Sequence, residues 1–107
     1  MARLRRGEVR WYRFARPAKK RPVVILTRDS VLEYLDETTV APVTRTVRGL
    51  PSEVPVGPED GLPEACAVNL DYVQTVDRAR LGALITTLPA RRMDEVREAL
   101  LFALGCE

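Results

Sequence analysis

Two polar residues stand where rigid backbone could hold them for chemistry. Arg21 immediately precedes the apolar run Pro22-Val23-Val24-Ile25-Leu26, and Thr44 closes the stretch Thr38–Thr44, just ahead of Arg45, Thr46 and Arg48. A guanidinium can hold an anionic oxygen pair through two parallel hydrogen bonds, and a threonyl hydroxyl can donate to or orient an oxygen beside it. Asn69 and Asp71 share the polar side of the alternating stretch Cys66–Asp71, and Gln74 and Thr75 follow closely. Each residue also has an ordinary use. An Arg before a buried strand is commonly a surface charge or an acid's partner, a strand-end Thr makes a local hydrogen bond, and an Asp after a strand starts a turn.

What is missing narrows the chemistry further. Histidine does not occur among the 107 residues, which excludes His-based triads, His acid–base pairs and His zinc ligands. Cys66 and Cys106 lie far apart with no second pair, so we expect two ordinary thiols, at least one in the core, rather than a zinc site or a disulfide. No Gly-rich phosphate loop, nucleophile elbow or regular acidic cluster is present, and no metal or cofactor is expected.

The formal net charge is +2, but the charge is unevenly spread. Residues 1–28 hold ten Lys and Arg against Glu8 alone, while residues 29–77 hold ten acids against Arg45 and Arg48. The basic stripe Arg3, Arg5, Arg6, Arg10, Arg13, Arg16, Lys19, Lys20 and Arg21 could attract a phosphate backbone or pair with acids of the same chain. No apolar run approaches the ~20 residues needed to cross a bilayer, and no signal-peptide pattern opens the chain. A soluble cytoplasmic protein without membrane association is expected.

The elements that must position these residues are mostly short strands. Residues 7–14 place Val9 and Trp11 between charged residues, which predicts a half-buried strand. Pro22–Leu26 reads as a central strand buried on both faces. Residues 30–35 suggest a helical turn capped by Asp29 or Ser30. Thr38–Thr44 reads as a strand in which Pro42, lacking an N–H, implies an edge or a bulge. Ser52–Val56, Cys66–Asp71 and Leu81–Thr87 follow as strands. Asp77 could cap a turn through Arg78–Arg80, and residues 57–65 read as a surface loop. From Ala90 to Leu104, Met93, Val96, Leu100 and Leu104 recur at helical spacing, and Gly105 sits where a C-terminal cap belongs. Phe102 lies off that stripe, as a singly exposed aromatic or part of a second contact surface. The length fits one domain with one core. These readings alone define a small β-rich domain with a basic face compatible with RNA binding.

Arg6-Gly7-Glu8-Val9-x-Trp11, Arg21-Pro22-Val23-Val24-Ile25-Leu26, Val40-Ala41-Pro42-Val43-Thr44 and Val68-Asn69-Leu70-Asp71 with Gln74-Thr75 occur in that order. Together with Leu81, Met93 and Val96 they resemble the MazF/PemK/Kid toxins of bacterial toxin–antitoxin modules over residues 6–104. The resemblance implies a mainly β fold with a C-terminal α-helix, an SH3-like partly open barrel of the MazF/CcdB type, acting as a homodimer. It implies sequence-specific, ribosome-independent and metal-independent cleavage of single-stranded mRNA, in which the 2′-hydroxyl attacks to leave a cyclic phosphate and a 5′-hydroxyl. It implies a cognate MazE-like antitoxin whose acidic C-terminal segment would lie in the basic groove.

By the same resemblance Arg21 and Thr44 match catalytic positions, and Asp71 matches an acid that serves as base in part of the family. Arg10, Arg16, Lys19, Lys20, Arg45, Thr46, Arg48, Asn69 and Gln74 would contact RNA. The sequence departs from the pattern in three places: the segment Arg16–Lys20 is shorter and lacks the usual Gly and Glu, Arg10 replaces an aromatic, and Asn69 stands where some members carry a catalytic Arg. The competing expectations are a CcdB-like gyrase poison of the same fold and an RNA-binding barrel without catalysis.

Overall fold

The apolar run after Arg21 becomes the middle of the sheet. In the structure, a computed structural model that describes residues 3–14 and 19–106, the strands are β1 (Glu8–Arg13), β2 (Lys20–Ile25), β3 (Glu37–Thr44), β4 (Glu53–Val56), β5 (Cys66–Asn69), β6 (Gln74–Asp77) and β7 (Leu81–Thr87). Two α-helices complete the chain, the single turn α1 (Asp29–Leu32) and the long α2 (Ala90–Ala103). All strand pairs are antiparallel and run in the order β4-β5-β3-β2-β1-β7, with β6 pairing β3 beside that path. Among the described residues the two end strands do not meet, so the sheet stays open. The fold class expected from the sequence is therefore observed.

β2 is buried on both faces, as its β-branched run predicts. Val23, Val24 and Ile25 are fully enclosed, each contributing roughly 1.5–3 kcal/mol of transfer free energy. They alternate between two clusters rather than one. Val24 packs with Val9, Ala41, Val68, Val96 and Ala99 under α2, while Val23 and Ile25 pack with Tyr12, Leu32, Val40 and Val76 on the other side. The single core expected from length is thus split by the sheet, and β2 belongs to both halves.

Pro42 lies in a central strand, not at an edge. β3 pairs β2 over Val40–Pro42, and its other neighbour changes from β6, opposite Glu37–Val40, to β5, opposite Val43 and Thr44. Pro42 falls between those two partners, where a missing N–H breaks no ladder bond. In β1, Glu8 and Arg10 are buried instead of solvated, because Arg10 Nε binds Glu8 at 2.8 Å and its guanidinium also donates to the Gly82 carbonyl. The Asp29 carboxylate caps no helix; it accepts the Arg6 backbone N–H at 2.7 Å. Asp77 does cap its turn, accepting from the Ala79 N–H at 2.9 Å.

α2 presents Val96 and Ala99 to the core, with Met93, Leu100 and Ala103 half-buried beside them. Gly105, at φ 71°, ends it, with the Cys106 N–H bonded to the Leu101 carbonyl at 2.8 Å. Leu104 was expected in the apolar stripe, but at the helix terminus it stays largely exposed.

Residues 57–65 are not a plain surface loop. They contain a 3-10 turn, Pro58–Asp60, and bury Asp60 and Leu62. The fully enclosed Asp60 carboxylate accepts from Arg92 Nε of α2 at 3.0 Å and from the Gly57 N–H at 3.1 Å. Gly61, at φ 90°, lies so close to Thr86 that a Cβ would overlap its hydroxyl. Arg92→Ala strands Asp60 without its cation and is expected to lower unfolding stability by about 3 kcal/mol, read as a reduced urea midpoint. An unchanged midpoint would show that the pair does not hold the segment.

Burial pushes the Asp60 carboxyl up. The Arg92 hydrogen bond, the Gly57 N–H and the positive charges of Arg92 and Arg91 outweigh it, and the carboxyl lies below its ordinary range. Its folded value is lower than its unfolded one, so its contribution to stability is present above about pH 4 and fades as pH falls below that. Acid titration of unfolding stability should therefore fall less steeply below pH 4 in Asp60→Asn than in the wild type.

Candidate active site

The register of β2 against β3 sets the site. Val23 faces Pro42, Val24 faces Ala41 and Ile25 faces Val40. Carried two residues toward the start of β2, the same register sets Arg21 opposite Thr44. Thr44 in turn faces Ala67 of β5. Arg21 and Thr44, 23 positions apart in sequence, both line one open cleft of about 680 Å³.

Three segments form its walls. Trp11 of β1 and Lys19–Pro22 form one, Val43–Thr46 a second, and Leu62, Pro63, Glu64 and Cys66 the third. Among the described residues, the cations Lys19, Lys20, Arg21 and Arg45 face a single lining carboxylate, Glu64. Arg45 pairs with Glu64 at 3.3 Å, both exposed. Lys20 Nζ stands 5.8 Å from the centre of the Trp11 ring, a cation–π contact. Arg21 is exposed, and its guanidinium makes no ion pair or hydrogen bond with any described residue. The half-buried Thr44 hydroxyl accepts from the Thr46 N–H at 3.1 Å, leaving its proton to donate. The cleft can therefore hold an anionic centre between a free guanidinium and a positioned hydroxyl.

The remaining sequence-predicted residues divide. Lys19, Lys20, Arg45 and Thr46 line the cleft with Arg21 and Thr44. Arg16 lies outside the described residues. Arg10 is enclosed under its Glu8 partner. Arg48 is exposed outside the cleft, its backbone N–H bound to Glu53 at 2.9 Å. Asn69 is buried and accepts the Asp71 N–H, which closes β5 into a 3-10 turn. Asp71 accepts the Ser52 hydroxyl at 2.6 Å beyond the far end of β5, and the exposed Gln74 begins β6. Neither lines the cleft. The sequence leaves Glu64 inconspicuous because its segment reads as a loop, and it marks Trp11 as a strand and motif residue without placing it at the site. Among the described residues no group of three or more Cys, Asp and Glu side chains is placed to hold a metal ion.

The guanidinium and the hydroxyl thus face one basic cleft on an open antiparallel sheet that packs against a C-terminal helix. The chain belongs to the family described as PemK-like, MazF-like toxin of type II toxin–antitoxin systems, which matches residues 5–104. It is 43% identical over 102 residues to the probable endoribonuclease MazF5 of Mycobacterium tuberculosis, covering 94% of this chain and 93% of that protein. Its fold superposes on the M. tuberculosis toxin MazF-mt6 with a TM-score of 0.86 at 38% identity, over 94% of this chain and 98% of the other. It also superposes on a mycobacterial endoribonuclease in complex with its cognate antitoxin, with a TM-score of 0.86 at 25% identity and 97% of each chain.

Cys66 lines the cleft, but its thiol is buried. Burial, together with the negative charges of Glu64, Asp60 and Glu59, pushes it above its ordinary range, which leaves little reactive thiolate at neutral pH. Cys106 is exposed. A thiol-colour reagent at pH 7 should titrate one thiol rapidly and the second only on unfolding, and Cys106→Ser should remove the rapid phase. A rapid phase that survives Cys106→Ser would show Cys66 to be accessible.

Proposed function

We propose that the cleft is the active site of an endoribonuclease toxin that cleaves single-stranded mRNA at specific sequences, without metal and without the ribosome. The observation that supports this best is the convergence of Arg21 and Thr44 on one cation-lined cleft. In the reaction the ribose 2′-oxygen attacks the adjacent phosphorus and loses its proton. The bond to the 5′-oxygen breaks, that oxygen gains a proton, and the products are a 2′,3′-cyclic phosphate and a 5′-hydroxyl.

Charge builds on the non-bridging phosphoryl oxygens. The Arg21 guanidinium stabilises it bidentately without reorganising, and the Thr44 hydroxyl donates to one of the same oxygens or orients the attacking group. A guanidinium is a donor without acceptor capacity, so the role given to Arg21 is charge stabilisation. Lys19, Lys20 and Arg45 hold neighbouring phosphates. The family resemblance gives Asp71 a base role, but that would require it to reach the phosphate from outside the cleft, so the reading rests on Arg21 and Thr44.

The working form is a cytoplasmic homodimer. The same cations suit an acidic extended segment of a cognate MazE-like antitoxin, which would occupy the cleft and block RNA. A CcdB-like gyrase poison would have no use for a guanidinium and a hydroxyl converging on one anion.

Purified protein with excess chelator should cut single-stranded RNA. Arg21→Ala and Thr44→Ala should each slow cleavage about 100-fold or more while retaining wild-type circular dichroism and melting. Full-rate cleavage by both variants overturns the site, and intact RNA after incubation with folded wild type overturns the activity.

A further inference from the structure

A carboxylate in an RNA cleft needs a reason. Among the described residues, Glu64 is the one acid lining this cleft, facing Lys19, Lys20, Arg21 and Arg45. Against a phosphate backbone it is repulsive, and an Asn or Ser in its place would bind the polyanion better. A carboxylate only accepts hydrogen bonds. The N–H donors that RNA offers lie on base edges; phosphates offer none. The tightest match is guanine, whose N1–H and N2–H₂ point the same way and can meet both oxygens of one carboxylate in parallel.

Glu64 is also built to be held still. The buried Asp60 carboxylate ties its segment to Arg92 at 3.0 Å, Leu62 anchors it in the core, and the Cys66 thiol donates to the Glu64 carbonyl at 3.3 Å. Its side chain nevertheless remains half-exposed, and its partner Arg45 more so. An exposed pair of this kind contributes little to stability, so an incoming strand can take both groups, phosphate on Arg45 and base on Glu64. Trp11, partly exposed across the cleft, offers an aromatic face on which such a base, splayed out of a single strand, can stack.

We infer that Glu64 is a specificity-determining residue: it reads the Watson–Crick edge of a guanine beside the scissile linkage. This rests on the endoribonuclease reading, and two arms keep the failure of one apart from the failure of the other. In the first, a long RNA of mixed sequence is digested and the cut ends are sequenced. Wild type should require guanine at one position near the cut, by about tenfold or more over other bases, and Glu64→Gln should relax or change the base at that position alone while still cutting. A wild-type consensus without guanine, or an identical consensus from Glu64→Gln, overturns the inference and leaves the nuclease reading standing.

The second arm needs no cleavage. A 2′-O-methyl RNA of mixed sequence, which has no attacking hydroxyl, is compared with the same strand carrying inosine, which lacks the N2 amino group, in place of every guanine. Wild type should bind the guanine strand several-fold more tightly by fluorescence anisotropy, and Glu64→Gln should bind the two alike. Equal binding of both strands by wild type overturns the role of Glu64, whatever the first arm shows.

Discussion

The cleft depends on the antiparallel register between β2 and β3, and that register is not fixed by the residues that fill the core. Slipping one strand by a residue normally exchanges its buried face for its solvated one and is costly. In β2 both faces are apolar, so a slip would only exchange Val23 and Ile25 for Val24 between two hydrophobic clusters. The register is pinned instead by polar contacts just beyond the far end of the ladder. The Thr27 hydroxyl accepts the Thr39 N–H at 2.8 Å and bonds the nearly enclosed Thr38 hydroxyl at 2.9 Å, while the Leu26 N–H donates to the Thr39 carbonyl. Pro42 adds a second constraint, since moving β3 along would bring it opposite β5 or β6 and cost a ladder bond. Arg21 and Thr44 line one cleft because this polar clamp, at the opposite end of the strands, leaves those strands one alignment.

Much of this architecture is legible in the chain because it is local. The β-branched run after Arg21 reads as a doubly buried strand, the 3.6-residue spacing from Ala90 reads as a helix, and Gly105 reads as its end. Several of the misreadings share a cause: a neighbour that local sequence does not reveal decides the outcome. Arg10 looks solvent-facing until Glu8, two residues along the same strand, and the Gly82 carbonyl of β7 enclose it. Pro42 looks like an edge residue because nothing in the sequence shows that β3 changes neighbours there. Residues 57–65 look like a loop because Arg92, the partner of Asp60, lies 32 positions away. Arg21 and Thr44 stand out by residue type and by family resemblance. Their convergence follows from pairing between strands, which composition and periodicity do not encode.

The same long-range pairing explains what becomes of the basic excess at the start of the chain. Its members are not one continuous stripe. Arg3 pairs with Glu33, Arg10 is buried against Glu8, and Arg6 donates to the Leu26 carbonyl. Arg10 is thereby lost to any external anion, while Arg3 and Arg6 are engaged within the chain. Of the exposed cations in this part of the chain, Lys19, Lys20 and Arg21 line the cleft, and Arg45, just after β3, joins them there. Cations crowded into one concavity repel each other and hold a layer of counterions, and a polyanion that displaces those ions gains their entropy. A carboxylate placed among them lowers that gain. Its presence is therefore better explained by what it accepts from the bases of a strand than by any contribution to holding the backbone, and the charge of this cleft divides into a part that attracts RNA and a part that discriminates within it.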